Sequence, residues 1–228
     1  FNLLNYFSKH FYIMCFSLES SRNSFLAGGI SSIFLLFFSE NDTNKHTGLF
    51  FFIVCLIQLL EYFMWKDQNC GLMNDLASRS VQSILTLQIL SIFVGAYIFN
   101  TTTIPKDILI YLICSISIYL FHVSYISYIN NKLKWCTKPN KDNSLQWANH
   151  KELFLRENYT TFLYMLTFIS IPFFLNEKWK GIFILTIGAI SYYITKRKYD
   201  NSGTINSRWC YYSALIPPLF IIFDKLKF

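Results

Sequence analysis

Seven apolar runs separated by short polar stretches constrain this chain more than any other feature: Ser24 to Phe38, Gly48 to Trp65, Val81 to Phe99, Ile108 to Ile129, Tyr159 to Leu175, Trp179 to Ile194 and Trp209 to Phe223. Segments this apolar bury their backbone polar groups without water only as helices, so the expected fold is all-α, a polytopic transmembrane helix bundle. Seven spans is the direct reading, and six spans with one re-entrant segment is the alternative. Several runs hold only 15 to 17 residues, short of the ~20 that cross a typical hydrocarbon core, so the helices are expected to extend beyond them or the host bilayer to be thin.

Composition agrees with an integral membrane location. The 228 residues are 53% hydrophobic and 14% charged, with 24 Phe and 15 Tyr, too apolar throughout for a water-soluble domain. The net charge of +7 sits in short loops rather than on one face, which argues for a topological signal and against nucleic-acid binding. Of the 20 Lys and Arg, 14 flank one side of the spans, among them Arg22, Lys66, Arg79, six between Lys132 and Arg156, and four between Lys196 and Arg208. The other 6 are Lys45, Lys106, Lys178, Lys180, Lys225 and Lys227. The positive-inside rule therefore makes the amino terminus cytoplasmic. The sequons at Asn41 and Asn100 then lie outside, and the one at Asn158 inside. The 130–158 stretch is a polar, basic cytoplasmic loop, either a small ordered cap or a linker between a four-span and a three-span part.

Polar residues inside the runs are the candidate site. In the second run Cys55, Gln58, Glu61 and Trp65 recur on one helical stripe. Counted from the run ends, Gln58, Gln88 and His122 each lie about 10 Å from the cytoplasmic edge, and Trp209 and Cys210 enter the last run from that side. Gln58, Glu61, Trp65, Gln88, His122, Trp209 and Cys210 are thus the candidates to bind a small polar ligand or protons. A carboxylate is costly in hydrocarbon, so Glu61 is expected to face the bundle, either as part of a site or as interhelical glue to Gln88 or Ser91. The tandem Pro217-Pro218 and Pro172 are expected to interrupt helical hydrogen bonding.

Cys15, Cys70, Cys136 and Cys210 fall at the side read as cytoplasmic, which argues against disulfides. No Cys-x-x-Cys pair occurs, so no metal is expected. Met14 is expected to be the natural start, with residues 1–13 an upstream extension, and Cys15 is a candidate for S-acylation.

Met14-Cys15-Phe16-Ser17, the Gln58-x-x-Glu61-x-x-x-Trp65 pattern, Leu145-Gln146-Trp147 and Ser207-Arg208-Trp209-Cys210 together resemble an uncharacterised family of small multi-pass membrane proteins beginning Met-Cys-Phe-Ser, found in bacteria, algae and large DNA viruses. The resemblance implies an integral membrane location and a cytoplasmic amino-terminal Cys, and it implies no reaction.

Two functions fit. One is a carrier or channel-like protein binding a small polar solute or relaying protons through Gln58, Glu61, Gln88 and His122. The other is a structural or interaction protein of a cellular or viral membrane, its polar groups holding helices together and its basic loops contacting anionic lipid or a partner. An intramembrane enzyme ranks third. No cofactor is expected, because no phosphate-binding glycine loop or Schiff-base Lys appears.

Overall fold

The computed structural model describes residues 17–129, 135–140, 144–147, 154–198 and 202–225. The expected start at Met14, the acylation candidate Cys15 and parts of the 130–158 loop lie outside the described residues. Each of the first six apolar runs falls, to within one residue at its end, in one helix: α1 (Leu18–Phe38), α2 (Asp42–Lys66), α3 (Leu72–Ile98), α4 (Lys106–Ile129), α5 (Phe154–Phe174) and α6 (Lys178–Lys198). All six extend beyond their apolar runs at one end or both, to 21–27 residues. The polar residues that the runs exclude form end turns on the same helices. Among the described residues, three helices, α2, α3 and α4, are long and apolar enough to cross a membrane.

Polar residues set the helix ends. Ser17 caps α1 by accepting from the Ser20 N–H, and Asn41 caps α2 by accepting from Thr43 and Asn44. The last apolar run is split into α7 (Ser202–Ser213) and α8 (Ile216–Lys225). The break at Ala214 and Leu215 precedes Pro217-Pro218, which fit a first helical turn where N–H groups have no partner to lose. Pro172, which has no N–H to donate, removes one helical hydrogen bond without ending its helix. It lies in the last turn of a continuous α5, and the bare Gly181 of α6 lets that helix approach it, since a Cβ there would lie 2.5 Å from the Pro172 Cα.

The chain runs as antiparallel hairpins from α1 to α4, and α5 packs back on α3, α6 on α5, α7 on α6 and α2, and α8 on α1. The last helices therefore enter the same bundle as the first, and the 130–158 stretch does not separate two independent parts. Its described portion is a cap at one end of the bundle, where the short strands β1 (Lys138–Pro139) and β2 (Leu145–Gln146) pair antiparallel. One core joins Phe51, Ile89, Ile171, Ile184 and Phe220. A second, around Ile57, Met64, Val81, Leu145, Trp147 and Cys210, fills the space beneath the cap.

At the opposite end Lys180 is buried, and its ammonium donates to Asn44 Oδ1 at 2.7 Å and to Glu177 Oε1 at 3.0 Å. Asn41 Nδ2 donates to the same Glu177 oxygen at 2.6 Å. The Asn41 side chain is thus engaged on both its oxygen and its nitrogen, which leaves that sequon occupied by the fold itself. Burial alone would raise the Glu177 pKa, but the Asn41 and Lys180 hydrogen bonds and the Lys180 charge outweigh it and hold the carboxyl below its usual range. A carboxyl with a depressed folded pKa adds stability above its unfolded pKa and loses it as pH falls through the folded value. The thermal midpoint of the purified protein should therefore fall on acidification below about pH 4, and the fall should be smaller in Glu177→Gln.

Candidate functional site

Gln58 and Glu61 are three residues apart in α2, so both face the bundle, where they are 0% and 3% exposed. The carboxylate is ringed by donors. Gln58 Nε2 donates to its Oε2 at 3.1 Å, the Trp147 indole N–H donates to its Oε1 at 3.0 Å, and the Ser207 hydroxyl of α7 is a third donor. A buried carboxylate is stable only with such partners, and three here come from three parts of the chain. Among the described residues no cation is paired with it. The neighbouring Arg208 is instead turned to the Ser144 Oγ of the cap, with Nε at 2.8 Å and Nη2 closer still.

Hydrogen bonding is incomplete in this region. Gln58 Oε1 and Ser24 Oγ, both buried, have no partner. They stand at one level: a Cβ on Gly28 of α1 would lie 2.6 Å from Cys55 Sγ of α2. Going four residues back along α1 and three forward along the antiparallel α2 brings Ser24 to about the level of Gln58. Beneath the cap, then, are a carboxylate, an amide oxygen without a donor and a hydroxyl without a partner, groups whose hydrogen bonds a bound molecule would complete.

The cap closes over this centre through side chains that sequence periodicity does not reveal. Asn74 of α3 donates to the carbonyls of Met64, Asp67 and Thr137 and accepts from the Thr137 N–H. The Trp135 N–H donates to Asp75 at 2.8 Å, Asp75 pairs with Arg79 at 2.7 Å, and Asn140 donates to Thr204 of α7. A disulfide joins Cys70, in the turn between α2 and α3, to Cys136 of the cap, with Cα atoms 5.3 Å apart. This corrects the expectation of unpaired thiols at this end. The partners are 66 residues apart, and only the folded cap brings them within bonding distance.

Other candidates fall elsewhere. Gln88 is fully buried, but both polar atoms of its side chain lack partners and it does not join Gln58. Leu72 to Ser80 are helical, so Gln88 lies about 24 Å along α3 from its start, against about 12 Å for Gln58 from the end of α2. His122 is exposed on α4, the helix with only 11% of its most apolar stretch buried, whereas Glu61 is buried. Its replacement by Leu should leave the thermal midpoint within about 1 °C of wild type and the Glu61 chemistry unchanged. Trp209 packs among Tyr164, Phe168 and Tyr192 and donates to the Gly188 carbonyl at 2.9 Å, a packing role one turn from the site. Trp65 is half-buried beside the Ile57 cluster, and Cys210 is buried within it. His46 lies outside the apolar runs, where sequence gives no sign of burial. It is buried at the far end, hydrogen-bonded through Nδ1 to Thr101 Oγ1 at 2.7 Å, beside a cavity of ≈ 10 Å³ lined by Phe50, Ile92 and Ile184, no larger than one water. Among the described residues no three His, Cys, Asp or Glu side chains could hold a metal ion.

No known protein family, no characterised protein and no solved structure matches this chain.

Proposed function

We propose that the protein is a seven-span membrane protein, its last span formed by α7 and α8 in series, and that the centre beneath the cap binds a proton or a small polar solute rich in hydrogen-bond donors. The sequence count, with 14 of the 20 Lys and Arg flanking the same side of the spans as the 130–158 stretch, supports an orientation with the capped end in the cytoplasm. The observation that carries the binding role is unmet hydrogen bonding beside a buried carboxylate without a cation: Gln58 Oε1, on the side chain that donates to Glu61, lacks a donor, and the Ser24 hydroxyl, at about the same level, lacks any partner. Such a centre favours an N–H or O–H donor over an anion, because an anion would meet a carboxylate already desolvated. Gln58, Glu61 and Ser24 are the residues assigned to it. Gln88 and His122 have no part.

A second reading rests on a different observation. Both oxygens of Glu61 already accept hydrogen bonds from the chain itself, and Ile57, Met64 and Trp147 pack around it, so the same residues serve as interhelical glue in a structural or interaction protein of a cellular or viral membrane. Reconstituted vesicles separate the two. With the fold of Glu61→Gln verified in detergent, loss of proton or methylammonium flux relative to wild type is the result for a binding site, and equal flux with a lowered thermal midpoint is the result for glue.

A further inference from the structure

The disulfide, the cap and the Glu61 centre form one mechanical unit. The Trp147 indole that reaches Glu61 is eleven residues along the chain from Cys136, on the same two-stranded cap. Cys70 holds the other end of the bridge from a turn in which its own backbone is in the left-handed region, φ 60°, a conformation that a non-glycine residue adopts at a cost. The covalent bond thus secures a strained turn to the element that covers the site. The charge distribution points the same way: Cys70 and Cys136 fall in the sequence on the side of the spans flanked by 14 of the 20 basic residues, the side the positive-inside rule makes cytoplasmic. In a thiol-reducing compartment, disulfides are characteristically transient and regulatory.

We infer that Cys70–Cys136 is a redox latch: reduced, it frees the cap and opens the Glu61 centre to its ligand, and oxidised, it holds the centre shut. The inference rests on the binding reading above for the identity of the site. The chemical step is thiol–disulfide exchange with a dithiol reductant. One thiolate of the reductant attacks a bridge sulfur, the Cys70–Cys136 bond breaks, and a mixed disulfide forms. The second reductant thiol then displaces the protein sulfur. Two electrons and two protons pass to the protein, leaving Cys70 and Cys136 as thiols and the reductant as a disulfide. The hydrogen bonds from Asn74 to Thr137 and from Trp135 to Asp75 remain, so the cap opens by fluctuation on its own hydrogen bonds rather than detaching.

The test is labelling of Glu61 by dicyclohexylcarbodiimide in the full chain in nanodiscs, read by mass spectrometry of the adduct. Dithiothreitol-treated wild type should label at least about tenfold faster than oxidised wild type, the gain expected when local opening controls access. Cys70→Ser/Cys136→Ser should label at the reduced rate with or without dithiothreitol, and Glu61→Gln should give no adduct at that position. Equal rates in oxidised and reduced wild type overturn the latch, and this comparison needs no variant to fold. Trapping of free thiols in growing cells supplies the second arm: a reducible bridge, partly open at steady state, supports the latch, and complete oxidation indifferent to cellular reductant overturns it. Faster labelling on reduction together with unchanged flux in Glu61→Gln leaves the latch standing and removes the binding reading, so the two claims fail separately.

Discussion

Gly28→Ala should be the most destabilising single substitution of a surface-neutral kind in this chain, lowering the thermal midpoint in detergent by about 10 °C, corresponding to about 3 kcal/mol. The added Cβ would lie 2.1 Å from the Ala214 carbonyl oxygen and 2.6 Å from Cys55 Sγ. The carbonyl belongs to backbone at the break between α7 and α8, and it already accepts a hydrogen bond from Cys55, so it cannot swing aside as a side-chain tip would. Relief requires α1 to move away from α2 and from the α7–α8 break together. Ser32 Oγ, one turn on, donates to the Gly28 carbonyl at 2.7 Å and holds the small-residue face of α1 in place. Gly29→Ala is the control. Its Cβ would meet only Phe25 ring atoms at 3.6 Å or more, ordinary contact, so its midpoint should match wild type or rise slightly. Equal midpoints for the two variants would mean that α1 does not pack as described.

Glu61→Ala should cost about 3 kcal/mol, because it strands the Gln58 amide, the Trp147 indole and the Ser207 hydroxyl as buried donors at roughly 1–3 kcal/mol each, offset by removal of a desolvated carboxyl. Glu61→Gln should cost much less, since the amide oxygen still accepts from one donor. The contrast matters for function. In the isosteric variant the shape of the centre and the cap are preserved while its charge and its capacity to gain a proton are gone. A functional deficit confined to Glu61→Gln is chemistry, and a deficit that tracks stability through both variants is packing.

Much of the helical layout is legible in the sequence, because apolar runs of this length have one stable form in hydrocarbon. The pairing of Gln58 with Glu61 is legible too, since a spacing of three places both on one face. The errors have physical causes. A third helix starting at Val81 would put Gln88 level with Gln58, but Leu72 to Ser80 are an end turn and more of the same helix, with Asn74, Asp75 and Ser78 bonded to the cap and Arg79. Polar residues there signal a covered helix end rather than a loop. Depth alone groups His122 with Glu61 in the sequence, because uniform apolarity gives a helix no readable inner face, and α4 packs on α3 alone among its larger contacts. Trp147 and the Cys70–Cys136 bridge were out of reach because they depend on the fold of a loop. Lys180 and Glu177 form an i,i+3 ion pair, a signal present in the sequence, yet nothing local says that Asn41 and Asn44, 136 residues earlier, complete it.

The binding centre itself is tested most directly by infrared difference spectroscopy of the full chain in nanodiscs, on stepping the pH and on adding methylammonium, in wild type and in Glu61→Gln under reducing conditions. A carboxyl band that shifts in the wild type and is missing from the otherwise unchanged spectrum of Glu61→Gln is the result predicted for a carboxylate that takes up a proton or a donor-bearing solute. Identical difference spectra from the two proteins would contradict it and leave Glu61 as a structural tie between α2, α7 and the cap.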